Sequence, residues 1–284
     1  MAFASSSSSS KQQIVLCGPN HVKVYKNTTT AENSTEAATS DEQMEVDRPD
    51  FMLKEEERPP YVIVVHGPPK VGKEKHLFIR SLVDHYTEDR DLPDLRGPIT
   101  IITGKRRRIQ FVECPNNVNG MRDAAKYADA VIFLINAYVG FEMETFEFVN
   151  VLRVHGMPKV MGVLTSIDKC DLFETEEHLM NHFSIEICEG ATVFCYLGSI
   201  MGCKYPEHEI RQLASFISAM DFHPLSWQAA QPYVLAEHFE DVTRVHTDNR
   251  CNRDIVLHGY LRGCDIKKGA KVFVLGMLID AFWN

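Results

Sequence analysis

The amino-acid sequence predicts an α/β protein in which a mostly parallel sheet, covered by helices on both faces, is followed by a partial antiparallel β-barrel. Two observations predict the sheet: short apolar runs rich in β-branched residues, the first being Tyr61–His66, and helical stretches that separate these runs as far as Met220. A third observation predicts the barrel, because strand-like segments after Pro224 follow one another without intervening helices.

The segment from Tyr61 to Met220 contains the predicted sheet and its helices. The predicted strands are Tyr61–His66, Ile99–Ile102, Ile109–Val112, Ala130–Ile135, Lys159–Leu164 and Thr192–Leu197. The predicted helices are a stretch ending near Tyr86 and the segments Glu142–His155, Glu174–Ile187 and Pro206–Met220. The second and third strands flank Gly104 and should form a hairpin, whereas strands joined through helices should be parallel.

The C-terminal part has a β character. Strand-like segments at Pro232–Ala236, Asp254–Tyr260 and Lys271–Leu275 are separated by turn residues and fit the start of a small barrel. The segment is short for a complete barrel. We therefore expect an α/β domain at 58–222 and an incomplete β-barrel domain at 223–284.

The N-terminal segment 1–57 is predicted to be disordered and acidic. It contains the homopolymer Ser5–Ser10, and the stretch Thr28–Glu57 is rich in Thr, Ser and Glu. Such a composition buries too little apolar surface to offset the entropy lost on ordering. One part differs, because apolar residues within Gln13–Tyr25 flank Gly18-Pro19-Asn20, a pattern that fits a small hairpin. An isolated hairpin is only marginally stable in water.

Composition restricts the class of protein. The net charge of −9 argues against non-specific binding of nucleic acid by the whole chain. The eight cysteines contain no C-x-x-C pair, which argues against a zinc site and a disulfide framework. No apolar run is long enough to cross a membrane, and the N-terminus lacks the apolar stretch of a signal peptide.

A phosphate-binding motif follows the first predicted strand. The segment Gly67-Pro68-Pro69-Lys70-Val71-Gly72-Lys73 matches G-x-x-x-x-G-K and lies between a strand and a helix, as a P-loop requires. Its glycines let backbone amides approach phosphate oxygens, the helix N-terminus favours anions, and Lys73 would reach the terminal phosphates. Glu74 occupies the place of the usual Mg²⁺-binding Ser or Thr. The alternative interpretation is a chance Gly-Lys turn.

A second motif indicates the base that the P-loop nucleotide would carry. Thr165-Ser166-Ile167-Asp168 follows the predicted strand Lys159–Leu164, in the position of an N-K-x-D motif. The Asp168 carboxylate would accept two guanine N–H groups, which adenine lacks. This pattern favours a guanine-nucleotide-binding G domain at 58–222. The alternative role of Asp168 is a helix N-cap.

Other polar residues fall at positions where GTPases place switch residues. Thr100 would contact Mg²⁺ and the terminal phosphate, and Glu113 keeps the carboxylate of a D-x-x-G motif whose glycine is replaced by Asn116. Asn117 lies where a longer side chain usually orients the attacking water. We therefore assign Thr100 and Asn117 as candidate catalytic residues and Glu74, Thr100 and Glu113 as candidate Mg²⁺ ligands. Each could equally be an ordinary polar loop residue.

Three segments carry a resemblance to a known family. The strings RGPITIITGKRRRIQFVECPN (96–116), GFEMETFEFVNVLRVHGMPKVMGVLT (140–165) and FHPLSWQAAQPYVLAEHFEDVT (222–243) resemble the Bms-type ribosome-biogenesis GTPase family. The resemblance covers about 59–276 and includes Thr165 and Asn116 as the family has them. Glu74-Lys75-His76 stands where the family has one Ser, so two residues are inserted and Mg²⁺ binding is in question. Members of the family are longer, which makes this chain a truncated homologue.

The resemblance implies a role in ribosome assembly. It implies GTP and GDP as ligands with Mg²⁺, and either slow GTP hydrolysis or a degenerate, non-hydrolysing assembly module. It also implies a nuclear, nucleolar location and pre-ribosomal ribonucleoprotein partners. Such partners include precursor rRNA and the processing factors of the small ribosomal subunit.

Two further clusters admit a structural and a functional interpretation. The basic run Lys105–Arg108 is either a solvated hairpin turn or a contact with RNA phosphates. Phe141, Phe146 and Phe148 are expected to belong to the core rather than to a binding surface.

Overall fold

The computed structural model describes residues 11–17, 21–26, 59–67, 72–87, 97–103, 107–167, 172–196, 204–241 and 255–265. The chain divides into two compact units. The described part of the larger unit lies within 60–231, and that of the smaller unit combines 11–26 with 232–265.

The strands and helices are numbered in chain order. The strands are β1 (Lys11–Cys17), β2 (His21–Lys26), β3 (Tyr61–His66), β4 (Ile99–Thr103), β5 (Arg107–Glu113), β6 (Ala130–Asn136), β7 (Lys159–Thr165), β8 (Thr192–Cys195), β9 (Tyr233–Asp241) and β10 (Ile255–Arg262). The helices are α1 (Gly72–Tyr86), α2 (Val118–Tyr127), α3 (Met143–His155), α4 (Leu172–Glu186), α5 (Glu207–Ala219) and α6 (Ser226–Ala230).

The larger unit is built on a six-stranded sheet with the order β4-β5-β3-β6-β7-β8. Neighbouring strands from β5 to β8 are parallel, and β4 joins the edge antiparallel to β5. The four residues Val62–Val65 of β3 are fully buried, as expected for a central strand covered on both faces. The predictions of an α/β fold and a mostly parallel sheet are confirmed.

Helices pack on both faces of this sheet. Ile63 and Val65 of β3 lie in one core cluster with Phe78 and Leu82 of α1, and residues of α5 complete the cluster. Alternate residues of a strand point to opposite faces, and Phe133 of β6 contacts Phe148 of α3 on the other side. The two apolar layers hold the sheet between helices.

Helix α2 was not predicted from the sequence. Its first turn contains Asn and Gly, which are typical of loops, but the side-chain oxygen of Asn117 accepts a hydrogen bond from Gly120 N at 2.6 Å and caps the helix. Met121 and Ala124 are fully buried. The helix therefore depends on its cap and on burial of one face rather than on local helix propensity.

The boundary between the units lies after Gln231, whereas the sequence suggested a boundary after residue 222. The short helix α6 belongs to the larger unit because Gln228 is buried and its Nε2 atom donates to Lys126 O at 2.9 Å. The Oε1 atom of Gln228 also accepts a hydrogen bond from Leu225 N at 3.0 Å. These contacts attach 225–231 to the end of α2.

The smaller unit is a four-stranded antiparallel sheet with the order β2-β1-β10-β9. Strands β1 and β2 form the hairpin that the sequence suggested as an exception within the segment 1–57. The hairpin is not isolated, since β1 pairs with β10 from Lys11↔Tyr260 to Leu16↔Ile255. The predicted strand Lys271–Leu275 lies outside the described residues, so the barrel stays a prediction.

Gly259 allows β9 and β10 to approach closely. The pairing shifts register between His258 and Gly259, and a Cβ atom on Gly259 would lie 2.2 Å from Leu235 O. A side chain cannot occupy that space because the carbonyl belongs to the neighbouring backbone. The position therefore requires glycine.

In the part of the chain that the structure describes, no helix is both long and apolar enough to cross a bilayer.

Candidate functional site

The candidate site lies at the carboxyl edge of the six-stranded sheet. Because β3, β5, β6 and β7 are parallel, the segments that follow His66, Glu113, Asn136 and Thr165 all emerge at this edge. Ligands of open α/β sheets bind at such an edge. Helix α1 begins soon after β3, so its first turn belongs to the same region.

Lys75 is the central side chain of this region. Its residue is 1% exposed, and its Nζ atom donates to Cys114 O at 3.0 Å and to Asn116 Oδ1 at 2.8 Å. The same atom lies 3.4 Å from Glu113 Oε1. Burying an ammonium group is costly unless oxygen atoms replace water, and these three oxygen atoms do so. Lys75 thus joins α1 to the segment that follows β5.

The aliphatic part of Lys75 packs against Gly67, the first glycine of the predicted P-loop. A Cβ atom on Gly67 would lie 3.2 Å from Cγ and 3.4 Å from Cδ of Lys75. Glycine at this position therefore leaves room for the lysine to extend beneath the start of the loop.

Glu74 and Thr165 lie together on the other side of the site. The hydroxyl group of Thr165 donates to Glu74 Oε2 at 3.3 Å. Both residues were predicted to bind the nucleotide, one at the P-loop and the other at the guanine motif. The contact joins the first turn of α1 to the end of β7 and confirms that these segments are neighbours.

The backbone at the predicted guanine motif has an unusual conformation. Ser166 has a φ angle of 60°, in the left-handed region that non-glycine residues rarely adopt. Hydrogen bonds fix its neighbours, because Ala137 N donates to Thr165 O at 2.8 Å and Ile167 N donates to Tyr196 O at 3.3 Å. Conformations of this kind cluster at functional sites. Sequence reasoning did not single out Ser166.

His66, directly before the predicted P-loop, is buried without a hydrogen-bond partner for either ring nitrogen in the described part of the chain. Its ring stacks on Phe148 at 4.8 Å and meets Phe133 edge-on at 5.5 Å. Burial, with a further contribution from the positive charge of Lys75, lowers the pKa of His66 from 6.5 to about 3. The ring is therefore neutral at physiological pH.

Cys114 contributes a backbone oxygen rather than a reactive thiol. The residue is fully buried, and burial raises the pKa of its thiol to about 12. A thiol in this state is a poor nucleophile at neutral pH because the thiolate form is rare.

The two candidate catalytic residues have structural partners. Thr100 lies within the edge strand β4, opposite Gln110, and its hydroxyl oxygen accepts a hydrogen bond from Gln110 Nε2 at 3.2 Å. Gln110 precedes Glu113 by three residues of strand, or about 10 Å, so Thr100 lies apart from the group around Lys75. Asn117 is closer, but its side-chain oxygen caps α2.

Other predicted site residues lie at or beyond the limits of the described structure. Pro68, Pro69, Lys70, Val71 and Asp168 lie outside the described residues. Gly72 and Lys73 form the backbone start of α1, as the P-loop prediction requires. Among the described residues, no group of three or more His, Cys, Asp or Glu side chains could hold a metal ion.

The basic run and the aromatic cluster have partly structural roles. Arg107 Nη1 donates to Met220 O at 2.6 Å, and its guanidinium group lies 5.7 Å from the ring centre of Tyr61 and 5.8 Å from that of Phe222. Arg107 therefore fixes the end of α5, a role the sequence did not indicate. Phe148 is fully buried, which confirms its predicted place in the core.

A helical repeat could have identified Lys75 from the sequence. Lys75, Phe78, Ile79, Leu82 and Val83 follow the spacing of one helix face, and all are at most 4% exposed. The motif itself contains Lys73, which lies two residues before this repeat.

The fold and the site define an α/β protein whose candidate ligand-binding residues gather at the carboxyl edge of a mostly parallel sheet. A family model described as the AARP2CN (NUC121) domain matches residues 221–277. The chain is 44% identical over 228 residues to the ribosome biogenesis protein BMS1 homolog of Homo sapiens. It is 43% identical over 231 residues to bms1 of Schizosaccharomyces pombe and 41% identical over 234 residues to BMS1 of Saccharomyces cerevisiae, both named ribosome biogenesis proteins.

Each of these alignments covers 78% of the chain, and the chain is therefore a homologue of the Bms-type ribosome biogenesis proteins over the aligned region. This confirms the resemblance drawn from the sequence. The chain spans only 18–20% of the length of these relatives.

Proposed function

We propose that the chain binds guanine nucleotide at the carboxyl edge of its parallel sheet and acts in the biogenesis of the small ribosomal subunit. The observation that carries the proposal is the convergence of Gly67, Lys75, Glu74 and Thr165 from α1, β3 and β7. These positions combine a glycine at the start of the loop, a buried ammonium group and the first residue of the guanine motif.

Within this proposal, different segments recognise different parts of the nucleotide. The predicted P-loop motif at 67–73 would donate backbone amides to the phosphates, and Asp168 would select guanine through its carboxylate. Bound Mg²⁺ would neutralise phosphate charge, and Glu74 and Glu113 are the carboxylates at this edge that could contact it. The segment 165–167 supports the base through the fixed backbone around Ser166.

Hydrolysis is expected to be slow. Phosphoryl transfer depends on positioned groups and on stabilisation of charge. The usual Mg²⁺-binding hydroxyl is replaced by Glu74, the side-chain oxygen of Asn117 caps α2, and Thr100 is bonded to Gln110. We expect turnover slower than about one per second, at the low end for enzymes. Faster release of phosphate from GTP by the purified chain would contradict these assignments.

A second function is an assembly module that retains the fold without binding nucleotide. One observation favours it, because the ammonium group of Lys75 already has three oxygen partners within the protein. In that case the surfaces of the chain, rather than a ligand, would mediate its part in pre-ribosomal particles. We propose nuclear and nucleolar partners, including precursor rRNA, because the relatives are named ribosome biogenesis proteins.

A thermal-shift titration separates the two functions. A ligand that binds the folded state alone stabilises it by about 2.7 kcal/mol at a concentration 100 times its Kd. We expect GTP and GDP with Mg²⁺ to raise the melting temperature, with Kd values of about a micromolar or weaker, and ATP to have a smaller effect. The variant Asp168→Ala should abolish the preference for guanine. No shift with any nucleotide would support the assembly module.

A further inference from the structure

We propose that Lys75, rather than Lys73 of the sequence motif, is the phosphate-binding lysine, and that the segment 113–116 holds its ammonium group until phosphate arrives. The inference rests on the proposed function and specifies how the site works. It assigns a regulatory role to contacts that otherwise look purely structural.

The helical phase of α1 brings position 75, and not position 73, to the sheet. Lys75 lies in register with Phe78 and Leu82, the residues that pack on the sheet. Successive residues of an α-helix are about 100° apart, so positions separated by two residues lie on opposite faces. The helix can therefore present only one of the positions 73 and 75 to the sheet, and the packed core selects position 75. Two extra residues after the motif lysine produce this shift.

The position of the Lys75 side chain also favours this residue. The stem of Lys75 runs beneath Gly67, and its Nζ atom ends beside the segment after β5. The ammonium group therefore lies between the first glycine of the loop and the position expected for switch residues. A phosphate bound between Gly67 and the first turn of α1 would lie next to this group.

The three oxygen atoms around Lys75 Nζ can be displaced by a phosphate. Of the three oxygen atoms, only Glu113 Oε1 belongs to a carboxylate, and it is the most distant, at 3.4 Å. The Glu113 side chain is 42% exposed, so water screens that interaction. The other two partners are an amide and a carbonyl oxygen. A phosphate oxygen carries negative charge, so its Coulomb attraction to the ammonium group exceeds that of either neutral oxygen.

The exchange of partners has a consequence for α2. Asn116 directly precedes Asn117, whose side chain caps α2. When Lys75 turns to phosphate, Asn116 loses its partner and the segment leading to α2 is released. Occupancy of the phosphate site would thereby be linked to the start of α2. Conversely, the contacts with Asn116 compete with phosphate and weaken binding, because only the released state is competent.

The experiment is a titration of the full chain with a fluorescent GDP analogue and with pyrophosphate, with Mg²⁺ present. The variants are Lys75→Met, Lys73→Met and Asn116→Ala, and Lys204→Met is the matched surface control, since Lys204 lies on the surface beside Asp84. Losing a hydrogen bond to a charged group should weaken binding about tenfold or more in Lys75→Met. Lys73→Met should lose less, and Asn116→Ala should bind about two- to tenfold more tightly.

Folding of each variant is checked by circular dichroism. If Lys75→Met does not fold, Lys75→Arg and Asn116→Ala still test the inference, because tighter binding cannot arise from misfolding. Suppose that the unaltered chain binds nucleotide, that Lys73→Met does not, and that Lys75→Met still does. This result overturns the inference about Lys75 but leaves the proposed function standing. If Asn116→Ala binds the probes with the affinity of the unaltered chain, Asn116 does not compete with phosphate for Lys75. If the unaltered chain binds neither probe, the proposed function fails and the inference fails with it.

Discussion

The side chains of His66 and Lys75 are both buried beside the same loop, but they differ in their hydrogen-bond partners. Lys75 has three oxygen partners, whereas the described part of the chain offers none to the ring of His66. The histidine is therefore held neutral among aromatic rings. Burial disfavours the charged form of an ionisable side chain when no hydrogen bond replaces the lost water.

The neutral state of His66 predicts a pH-dependent stability. Its pKa is about 3 in the folded protein and 6.5 in the reference state, so the unfolded chain binds the proton more tightly. The stabilising contribution is complete above pH 6.5 and falls as the pH decreases below that value. At pH 5 the loss is about 2 kcal/mol. Replacing His66 by Leu should remove this part of the pH dependence in urea unfolding curves.

The control for this measurement is the unaltered chain, unfolded in urea at pH 7 and at pH 5. Identical pH dependence in His66→Leu and the unaltered protein would show that a different group titrates.

At the scale of elements, a glycine allows a strand and a helix to pack closely. Gly162 in β7 faces the ring of Phe183 in α4, and a Cβ atom there would lie 2.8 Å from Phe183 Cε2. Phe183 is fully buried against Phe133, so its ring has little freedom to move. The glycine thus sets the distance between α4 and the sheet.

Replacing Gly162 by Ala should destabilise the larger unit by about 1–3 kcal/mol, the usual cost of overpacking a core. The physical reason is the overlap between the new methyl group and the Phe183 ring. The effect is measured as a shift in the urea midpoint. In a Phe183→Leu background the same substitution should cost less, since the smaller side chain leaves room. Equal costs in both backgrounds would refute the contact as the cause.

At the scale of the whole molecule, segments distant in sequence form the smaller sheet. Strand β1, near the N-terminus, pairs with β10, and without β1 and β2 the described part of the sheet would retain β9 and β10 alone. Two-stranded sheets are marginally stable in water. The N-terminal hairpin is therefore part of the folded structure of this unit.

Removal of residues 1–26 should expose β10 and loosen the smaller unit. We expect faster amide hydrogen exchange within Ile255–Arg262 because these groups lose their partners in β1. Exchange in Tyr61–His66 should not change, since that strand belongs to the other unit. The matched control lacks only residues 1–10 and keeps both strands of the hairpin. Unchanged exchange in β10 after the longer deletion would mean that β1 contributes no protection.

The sequence by itself determined most of the α/β order. Strand β3 coincides with the predicted Tyr61–His66, and the later strands and helices up to α5, except α2, lie within a few residues of their predicted bounds. Buried parallel strands can be recognised from the local sequence, since their short apolar, β-branched runs differ from the mixed apolar and polar pattern of helices. The sequence also identified the resemblance to the Bms-type family and the segments that form the carboxyl edge.

The tertiary structure alone decided the features that depend on partners distant in the chain. Helix α2 and the attachment of α6 depend on a cap and on hydrogen bonds between Gln228 and the end of α2. The stability of the N-terminal hairpin depends on β10. The burial of Lys75 against the sheet depends on how α1 packs. A motif specifies residue types and spacing, whereas core packing sets the helical phase that brings one lysine to the sheet.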